Sequence, residues 1–289
     1  MKNDILLVLG NGFDLDLGWK TTYADFYRTK RFEFNEIARN KYVSNATCES
    51  WCDLEKYLRD SALGIMEEKD VEELWCYWCF TRSKLHEYLT ENACKHINEK
   101  SCAYSVLQKA NDCKIVSFNY TNPFESVAKR EVNVFHIHYS LNSFNVNIPK
   151  IIFGFDENAM KENPIIRSNE KLRTMVKSIP NDYDDEDRKS HLLKLLRDKD
   201  NIVFYGLSLS ITDSDYFKSF FELLISGEIP EKNLYFVTKS PSGLIPIKEN
   251  MEEWGINFDN LVFSRNRVVE VFTDRGIENT DFKAMLELL

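Results

Sequence analysis

The fold is decided near the start of the chain, by the stretch Ile5-Leu6-Leu7-Val8-Leu9-Gly10-Asn11-Gly12-Phe13-Asp14. An uninterrupted apolar run of this length is typical of a strand that is covered on both faces, as in a parallel sheet between two layers of helices. The strand ends in Gly-x-Gly, and a helical pattern follows. Because such a turn lets the backbone approach a phosphate closely, the stretch predicts a nucleotide-binding unit of strand, turn and helix.

The turn differs from the dehydrogenase fingerprint. Gly18 follows Gly12 by six residues instead of three, and no acidic ribose ligand stands at the end of a second strand. An ordinary tight turn is therefore the alternative interpretation. The pair Thr22 and Asp25 has the spacing of a capping box and predicts the start of the next helix.

Strand-like runs and helical patterns alternate along the rest of the chain. Further strands are predicted at residues 114–118, 132–138, 150–155, 201–205, 233–238, 260–264 and 268–272, and helices intervene at 122–129, 213–225 and 244–253. This alternation predicts an α/β protein with a Rossmann-like, doubly wound, mostly parallel sheet. Only helical patterns lie between the first two strands, so we expect a core of residues 1–21 and 112–289 with a helical insertion over residues 22–111.

Composition limits the classes of partner. The chain has 37 Lys and Arg against 46 Asp and Glu, a formal net charge of -9, so stable nucleic-acid binding is not expected and an anionic ligand must be held locally. No apolar run approaches the ~20 residues of a membrane span, and the apolar run at residues 5–9 is too short for a signal peptide. Seven cysteines, an odd number, fit a reducing compartment. We therefore expect a cytoplasmic protein that does not enter a membrane.

Polar residues follow several of the predicted strands at their carboxyl ends, where open α/β sheets bind ligands. Asn119 follows the strand at 114–118, His136 and His138 share one face of the next strand, and Ser208 and Asp213 follow the strand at 201–205. The structural alternatives are an asparagine that bonds a turn, histidines that bond the backbone in the core, and an aspartate that caps a helix.

A helix cap explains Asn122, and the cysteine and histidine pairs do not form a metal-binding pattern. Asn122 precedes Pro123 and has the position of a helix N-cap, which leaves Asn119 unexplained by the cap. The cysteine pairs 48/52 and 76/79 lie on or beside predicted helices and lack the glycine of a zinc knuckle, and the histidine pair lacks a convincing third ligand. We therefore expect no metal.

Five motifs, taken in order, resemble the AbiH-like family of bacteriophage abortive-infection proteins. They are Gly-Asn-Gly-Phe-Asp-Leu at 10–15, Trp-Cys-Asp-Leu-Glu at 51–55, Phe-Asn-Tyr-Thr at 118–121, His-Ile-His-Tyr at 136–139, and Gly-Leu-Ser-Leu at 206–209 with a following Asp213. The same order is distantly similar to the sirtuin-type NAD-binding core. The resemblance implies an anti-phage protein that binds NAD, as substrate or ligand, or a related nucleotide, and hydrolyses its N-glycosidic bond to release nicotinamide.

The resemblance also implies roles for particular residues. Asn119 and His138 would be catalytic, because an oxocarbenium-like transition state needs an oriented water, positioned ribose hydroxyls and a proton acceptor. The implied cofactor-binding residues are Gly10, Asn11, Gly12, Phe13, Asp14, Thr21, Thr121, His136, Ser208 and Asp213.

Three positions depart from the family pattern. Leu17 and Leu207 stand where family members usually carry histidine, and Tyr139 stands where they carry glycine. Whether the protein is an enzyme thus stays open, and a catalytically degenerate nucleotide-binding sensor or interaction module is the alternative. A metal-dependent phosphoester hydrolase that uses Asp14, Asp213 and Asp215 is a third interpretation. A phage-derived trigger protein and a homo-oligomer are partners that the sequence leaves open.

Overall fold

The computed structural model describes residues 4–45, 53–130, 132–142, 144–145, 148–149, 151–177 and 188–289. By their contacts the residues group into two compact units. The first comprises Met1–Trp19, His96–Ile137 and Glu186–Leu289, and the second comprises Lys20–Lys95 and His138–Asp185. Most of the predicted helical insertion thus falls in the second unit, together with residues 138–185, whereas residues 96–111 fall in the first.

The first unit contains a six-stranded sheet in which every pairing is parallel. Its strands are β1 (Ile5–Leu9), β2 (Lys114–Ser117), β3 (Val134–His136), β4 (Asn201–Tyr205), β5 (Asn233–Thr238) and β6 (Arg267–Phe272). The spatial order is β3-β2-β1-β4-β5-β6, so the chain starts in the middle and builds each half outward in turn. This is the Rossmann strand order, and it confirms the predicted Rossmann-like α/β fold class.

Helices connect these strands because each crossover between parallel strands must return along a face of the sheet. The α-helices of the first unit are Asn11–Asp16, Cys102–Lys109, Pro123–Ser126, Arg188–Asp198, Ser214–Ser226, Ile245–Glu253, Phe258–Phe263 and Thr280–Leu286. Short 3₁₀ helices lie at Ile211–Asp213, Pro241–Leu244 and Thr273–Arg275. None of the helices in the described part of the chain combines the length and the apolar character that a membrane crossing requires.

The core of the first unit is built from aromatic residues on the sheet and on helix Ser214–Ser226. That helix buries Phe217, Phe220, Phe221 and Leu224, which recur at helical spacing and so form one apolar face. On the sheet, the ring of Phe204 stacks on Phe236 with centroids 5.2 Å apart. The central strands are apolar on both faces because this helical layer and its counterpart cover them.

Two of the predicted strands are wrong. Residues 260–264 lie largely in helix Phe258–Phe263, where the Asn257 side chain accepts a bond from the Asp259 amide (2.8 Å) and starts the helix. Its buried residues, Phe258 and Leu261, are three apart, which is a helical and not a strand spacing. Periodicity alone could not separate the two structures in so short an apolar run.

Residues 151–155 are buried but form no strand, and only an isolated bridge joins Phe155 to Val176. The reason is a close approach of backbone at Gly154. A Cβ atom at this position would lie 1.8 Å from the Met175 carbonyl oxygen, so glycine allows a contact in place of a regular ladder.

The second unit is mainly helical. Its α-helices are Tyr23–Lys30, Lys41–Asn45, Leu54–Leu63, Glu68–Tyr88, Asn158–Glu162, Pro164–Ser168 and Glu170–Arg173; a 3₁₀ helix (Glu33–Ile37), a π-helix (Leu89–Ala93) and an antiparallel strand pair (Phe144–Asn145, Ile148–Pro149) complete it. The predicted capping box is confirmed, because the Thr22 hydroxyl accepts from the Asp25 amide at 3.0 Å. Trp78 lies in the aromatic core, where its indole N–H donates to the Phe153 carbonyl at 2.6 Å.

Candidate functional site

The candidate site lies at the carboxyl ends of β1, β2 and β3, beside the point where the strand order reverses between β1 and β4. Open α/β sheets bind their ligands at such a switch point. Here the turns after β1 and β4 are joined directly. The Gly10 amide donates to the Tyr205 carbonyl (2.9 Å), and the Gly12 amide donates to the Gly206 carbonyl (2.8 Å).

Glycine is required on both sides of this junction. A Cβ atom on Gly12 would lie 2.6 Å from the Cα of Gly206, and a Cβ on Gly206 would lie 2.4 Å from the Cα of Gly12. The amide of Phe13 donates to the Gly10 carbonyl at 3.0 Å, so the amides of Gly10, Gly12 and Phe13 all bond protein carbonyls. The Gly-x-Gly stretch therefore serves the packing of the two turns.

Asn119 is the centre of a hydrogen-bonded cluster. Its side-chain amide donates to the Gly10 carbonyl at 3.0 Å. Thr121, two residues further on, donates its hydroxyl proton to Oδ2 of Asp14. The loop after β2 is thus tied to helix Asn11–Asp16. The Asn122 cap is confirmed separately, since its side-chain oxygen accepts from the Glu125 amide at 3.4 Å.

Asp14 is the most perturbed carboxyl group of this cluster. Its side chain is buried, and burial raises the pKa of Asp14 from its ordinary value of 3.8 to about 7, although the bonds from Thr121 and Asn119 act in the opposite direction. Its second oxygen, Oδ1, is buried without a hydrogen-bond partner in the described structure. Native proteins rarely leave a buried polar atom unsatisfied, so this oxygen needs an explanation. Carboxyl groups with strongly shifted pKa values cluster at functional sites.

His136 lies at the carboxyl end of β3 and contacts the same asparagine. Its Nδ1 lies 2.9 Å from the carbonyl oxygen of Asn119. Burial lowers the pKa of His136, the Asn119 carbonyl raises it, and the nearby Arg188 lowers it further. Nε2 of His136 is buried and has no hydrogen-bond partner among the residues that the structure describes. Two unsatisfied atoms, one on His136 and one on Asp14, thus belong to side chains that bond Asn119 and Thr121 of the same loop.

The other predicted residues of the first unit lie around this cluster with different exposures. Phe13 is buried with its ring edge against Tyr205, at a centroid distance of 4.9 Å. Asn11 is exposed at the start of its helix. Ser208 is exposed, and its carbonyl accepts from the Asn250 side chain at 3.0 Å. Asp213 is buried and accepts from the Ser210 hydroxyl at 3.2 Å.

Thr21 and His138 belong to the second unit. His138 is buried, and its carbonyl accepts from the Ile152 amide at 2.9 Å. Of the three departures from the family pattern, Leu17 and Leu207 are buried apolar residues of the first unit, and Tyr139 has a left-handed backbone with φ of 60°. The structure thus joins Gly10, Asn119 and His136 by hydrogen bonds in one unit, and it joins Asp14 to Thr121 in the same unit.

Sequence reasoning missed Asp16. Its Oδ2 accepts from the Tyr205 hydroxyl and from the Ala103 amide, both at 2.7 Å, so it fastens helix Asn11–Asp16 to β4 and to helix Cys102–Lys109. In the sequence, Asp16 stands two residues after Asp14. On a helix this spacing places the two carboxyl groups on different sides, so Asp16 was available for a contact that Asp14 does not make. Asp16 therefore positions the helix that carries Asp14.

The described residues contain no group of three or more histidine, cysteine, aspartate or glutamate side chains that could hold a metal ion. Cys76 and Cys79 are free thiols, and the predicted positions Cys48, Trp51 and Cys52 lie outside the described residues.

These features define a Rossmann-like α/β protein with a buried polar cluster beside the switch point of its sheet. The family model described as "Bacteriophage abortive infection AbiH" matches residues 6–228, which is most of the chain. The chain therefore belongs to the AbiH family of bacteriophage abortive-infection proteins, as the motif order predicts. No curated protein matches the chain. No solved structure matches it either.

The left-handed backbone of Tyr139 leads to a stability prediction. A non-glycine residue in this region costs about 1–2 kcal/mol, and glycine avoids the cost. We expect Tyr139→Gly to be more stable than Tyr139→Ala by about 1 kcal/mol in urea unfolding, because both variants lose the same ring and differ only in the Cβ atom. Tyr139→Ala is thus the matched control, and equal stabilities would show that this backbone is not left-handed in solution.

Proposed function

We propose that this protein acts in abortive infection by binding NAD or a related nucleotide at the carboxyl edge of its sheet and hydrolysing the N-glycosidic bond. Membership of the AbiH family supports the abortive-infection role. The nucleotide chemistry is supported by the similarity of motif order to the sirtuin-type NAD-binding core and by the arrangement of the polar cluster.

The observation that carries the proposal is the position of Asn119. This buried asparagine follows β2 and bonds the turn after β1, so the fold fixes its amide at the edge where a Rossmann-like sheet binds ligands. Loss of nicotinamide from NAD passes through an oxocarbenium-like state, which is accelerated by orienting water and the ribose hydroxyls. Asn119 would supply this orientation, as the resemblance implies.

Incubation of the purified protein with NAD, with nicotinamide release as the readout, tests this proposal. We expect Asn119→Ala to lower the rate by about 100-fold, since a misplaced reactant costs a factor of this size. The matched control is Asn122→Ala, three residues away, which removes a helix cap and should cost only about 1 kcal/mol of stability. Equal rates for the two folded variants would contradict the role of Asn119.

The second candidate function is a nucleotide sensor without turnover. It is favoured by Leu17 and Leu207, because apolar side chains at these two positions can neither exchange a proton nor donate a hydrogen bond. The sensor would show a higher melting temperature with NAD or ADP-ribose but release no nicotinamide. If neither nucleotide shifts the melting curve, the sensor function fails.

A further inference from the structure

His136 has a defined tautomer because of its contact with Asn119. Its Nδ1 lies 2.9 Å from the Asn119 carbonyl oxygen, and a carbonyl oxygen can only accept a hydrogen bond. Nδ1 must therefore carry the proton. In the neutral ring this leaves Nε2 as a lone-pair acceptor, directed away from the backbone that holds the ring.

The surroundings of His136 keep the ring neutral. Burial lowers its pKa, and the Arg188 guanidinium, which donates to the carbonyl oxygen of His136 itself, lowers it further, whereas Glu125 raises it. Nε2 is therefore a buried acceptor at neutral pH, and no described residue donates to it. A buried acceptor without a donor is costly, so a native protein retains one where something else supplies the donor.

A second observation at the same place points to a ligand. Oδ1 of Asp14 is also buried without a partner among the described residues, and the other oxygen of Asp14 accepts from Thr121, two residues after the Asn119 whose carbonyl holds His136. The two unsatisfied atoms thus belong to side chains that bond the loop after β2, which carries both Asn119 and Thr121. They come from β3 and from helix Asn11–Asp16, which are far apart in sequence, so a single local turn does not explain both.

We propose that Nε2 of His136 accepts a hydrogen bond from a ribose hydroxyl of the bound nucleotide, which makes His136 a ligand-contact residue that selects for an intact sugar. This inference rests on the proposed nucleotide-binding function and adds to it. A ribose hydroxyl fits this position, because it donates to a neutral imidazole nitrogen, whereas an ionised phosphate oxygen and a carbonyl oxygen cannot. His138, in the second unit, keeps the separate role that the resemblance implies.

The test is a binding cycle that combines side-chain and ligand changes. ADP-ribose and analogues in which single hydroxyls of either ribose are replaced by hydrogen are titrated into wild-type protein and into His136→Asn. The asparagine amide can still donate to the Asn119 carbonyl in the manner of Nδ1, but it lacks the acceptor Nε2. We expect one analogue to bind wild-type protein about tenfold more weakly than ADP-ribose, and His136→Asn to bind both ligands equally.

Two further variants guard against a general loss of structure. His191→Asn changes another half-buried histidine of the first unit, whose ring centroid lies 4.5 Å from that of Phe135. This variant should preserve the discrimination between ligands. His136→Gln, whose longer amide can place an oxygen near the position of Nε2, should recover part of it. Loss of discrimination in His191→Asn as well would assign the effect to structure and overturn the inference.

The remaining outcomes separate the inference from the proposed function. One outcome is that ADP-ribose binds and that removal of each hydroxyl lowers the affinity of His136→Asn as much as that of wild-type protein. His136 then does not contact a hydroxyl, and only the inference fails. If ADP-ribose and NAD do not bind to wild-type protein, the proposed function fails and the inference fails with it.

Discussion

Replacement of Gly206 by alanine should lower the free energy of unfolding by about 2–5 kcal/mol. The new Cβ atom would lie 2.4 Å from backbone atoms of Gly12 and Phe13, and backbone cannot move aside as a flexible side chain can. Overpacking of this kind costs about 1–3 kcal/mol, and the left-handed conformation (φ of 65°) costs a further 1–2 kcal/mol or so for any residue other than glycine. Urea unfolding followed by circular dichroism measures the loss.

Gly227 provides the matched control for this prediction. It also has a left-handed backbone, with φ of 74°, but no atom lies within 4 Å of the position that a Cβ would take. Gly227→Ala should therefore cost only the conformational part, about 1 kcal/mol. Equal losses in the two variants would mean that the turns after β1 and β4 do not approach each other as described. The comparison also bears on the site, because the turn that Gly206 contacts carries Asp14.

Asp14→Asn should stabilise the protein, and increasingly so as the pH rises from about 4 to about 7. Because burial raises the folded-state pKa of Asp14 to about 7, from an ordinary 3.8, the folded protein holds this proton more tightly than the unfolded chain does. The stability that the protonated group contributes is complete below pH 3.8 and is lost as the pH rises through 7. The folded and unfolded pKa values of Asp14 differ by about three units. Each unit is worth about 1.4 kcal/mol, so the expected loss of stability is about 4 kcal/mol.

The measurement is the difference in unfolding free energy between Asp14→Asn and wild-type protein at several pH values. Asparagine does not titrate and can still accept from the Thr121 hydroxyl, so the difference isolates the carboxyl group. Asp112→Asn, at an exposed position, controls for the loss of one negative charge. A difference that stays constant between pH 4 and pH 8 would show that Asp14 is not buried as a carboxylic acid at neutral pH.

Much of the fold could be predicted because it depends on local pattern. The apolar runs of β1, β4 and β5 have no polar face, and this alone indicates strands covered on both sides. The caps at Thr22 and Asn122 could also be predicted, because a cap is satisfied by a residue three positions away. By contrast, residues 260–264 were misassigned, since an apolar run this short fits a strand and a helix equally well.

The candidate site divides in the same way. The sequence by itself determined the AbiH family, the α/β class and the residue types that stand after each strand, because motif order and periodicity are properties of the chain. Only the tertiary structure decided that Asn119 bonds Gly10, that Asp14 bonds Thr121 and has a strongly raised pKa, and that His136 contacts Asn119. The physical reason is that burial and hydrogen bonding between β1, β2 and β3 depend on the parallel register of strands that are separate in the sequence, β1 and β2 by more than a hundred residues, and single-sequence periodicity does not encode that register.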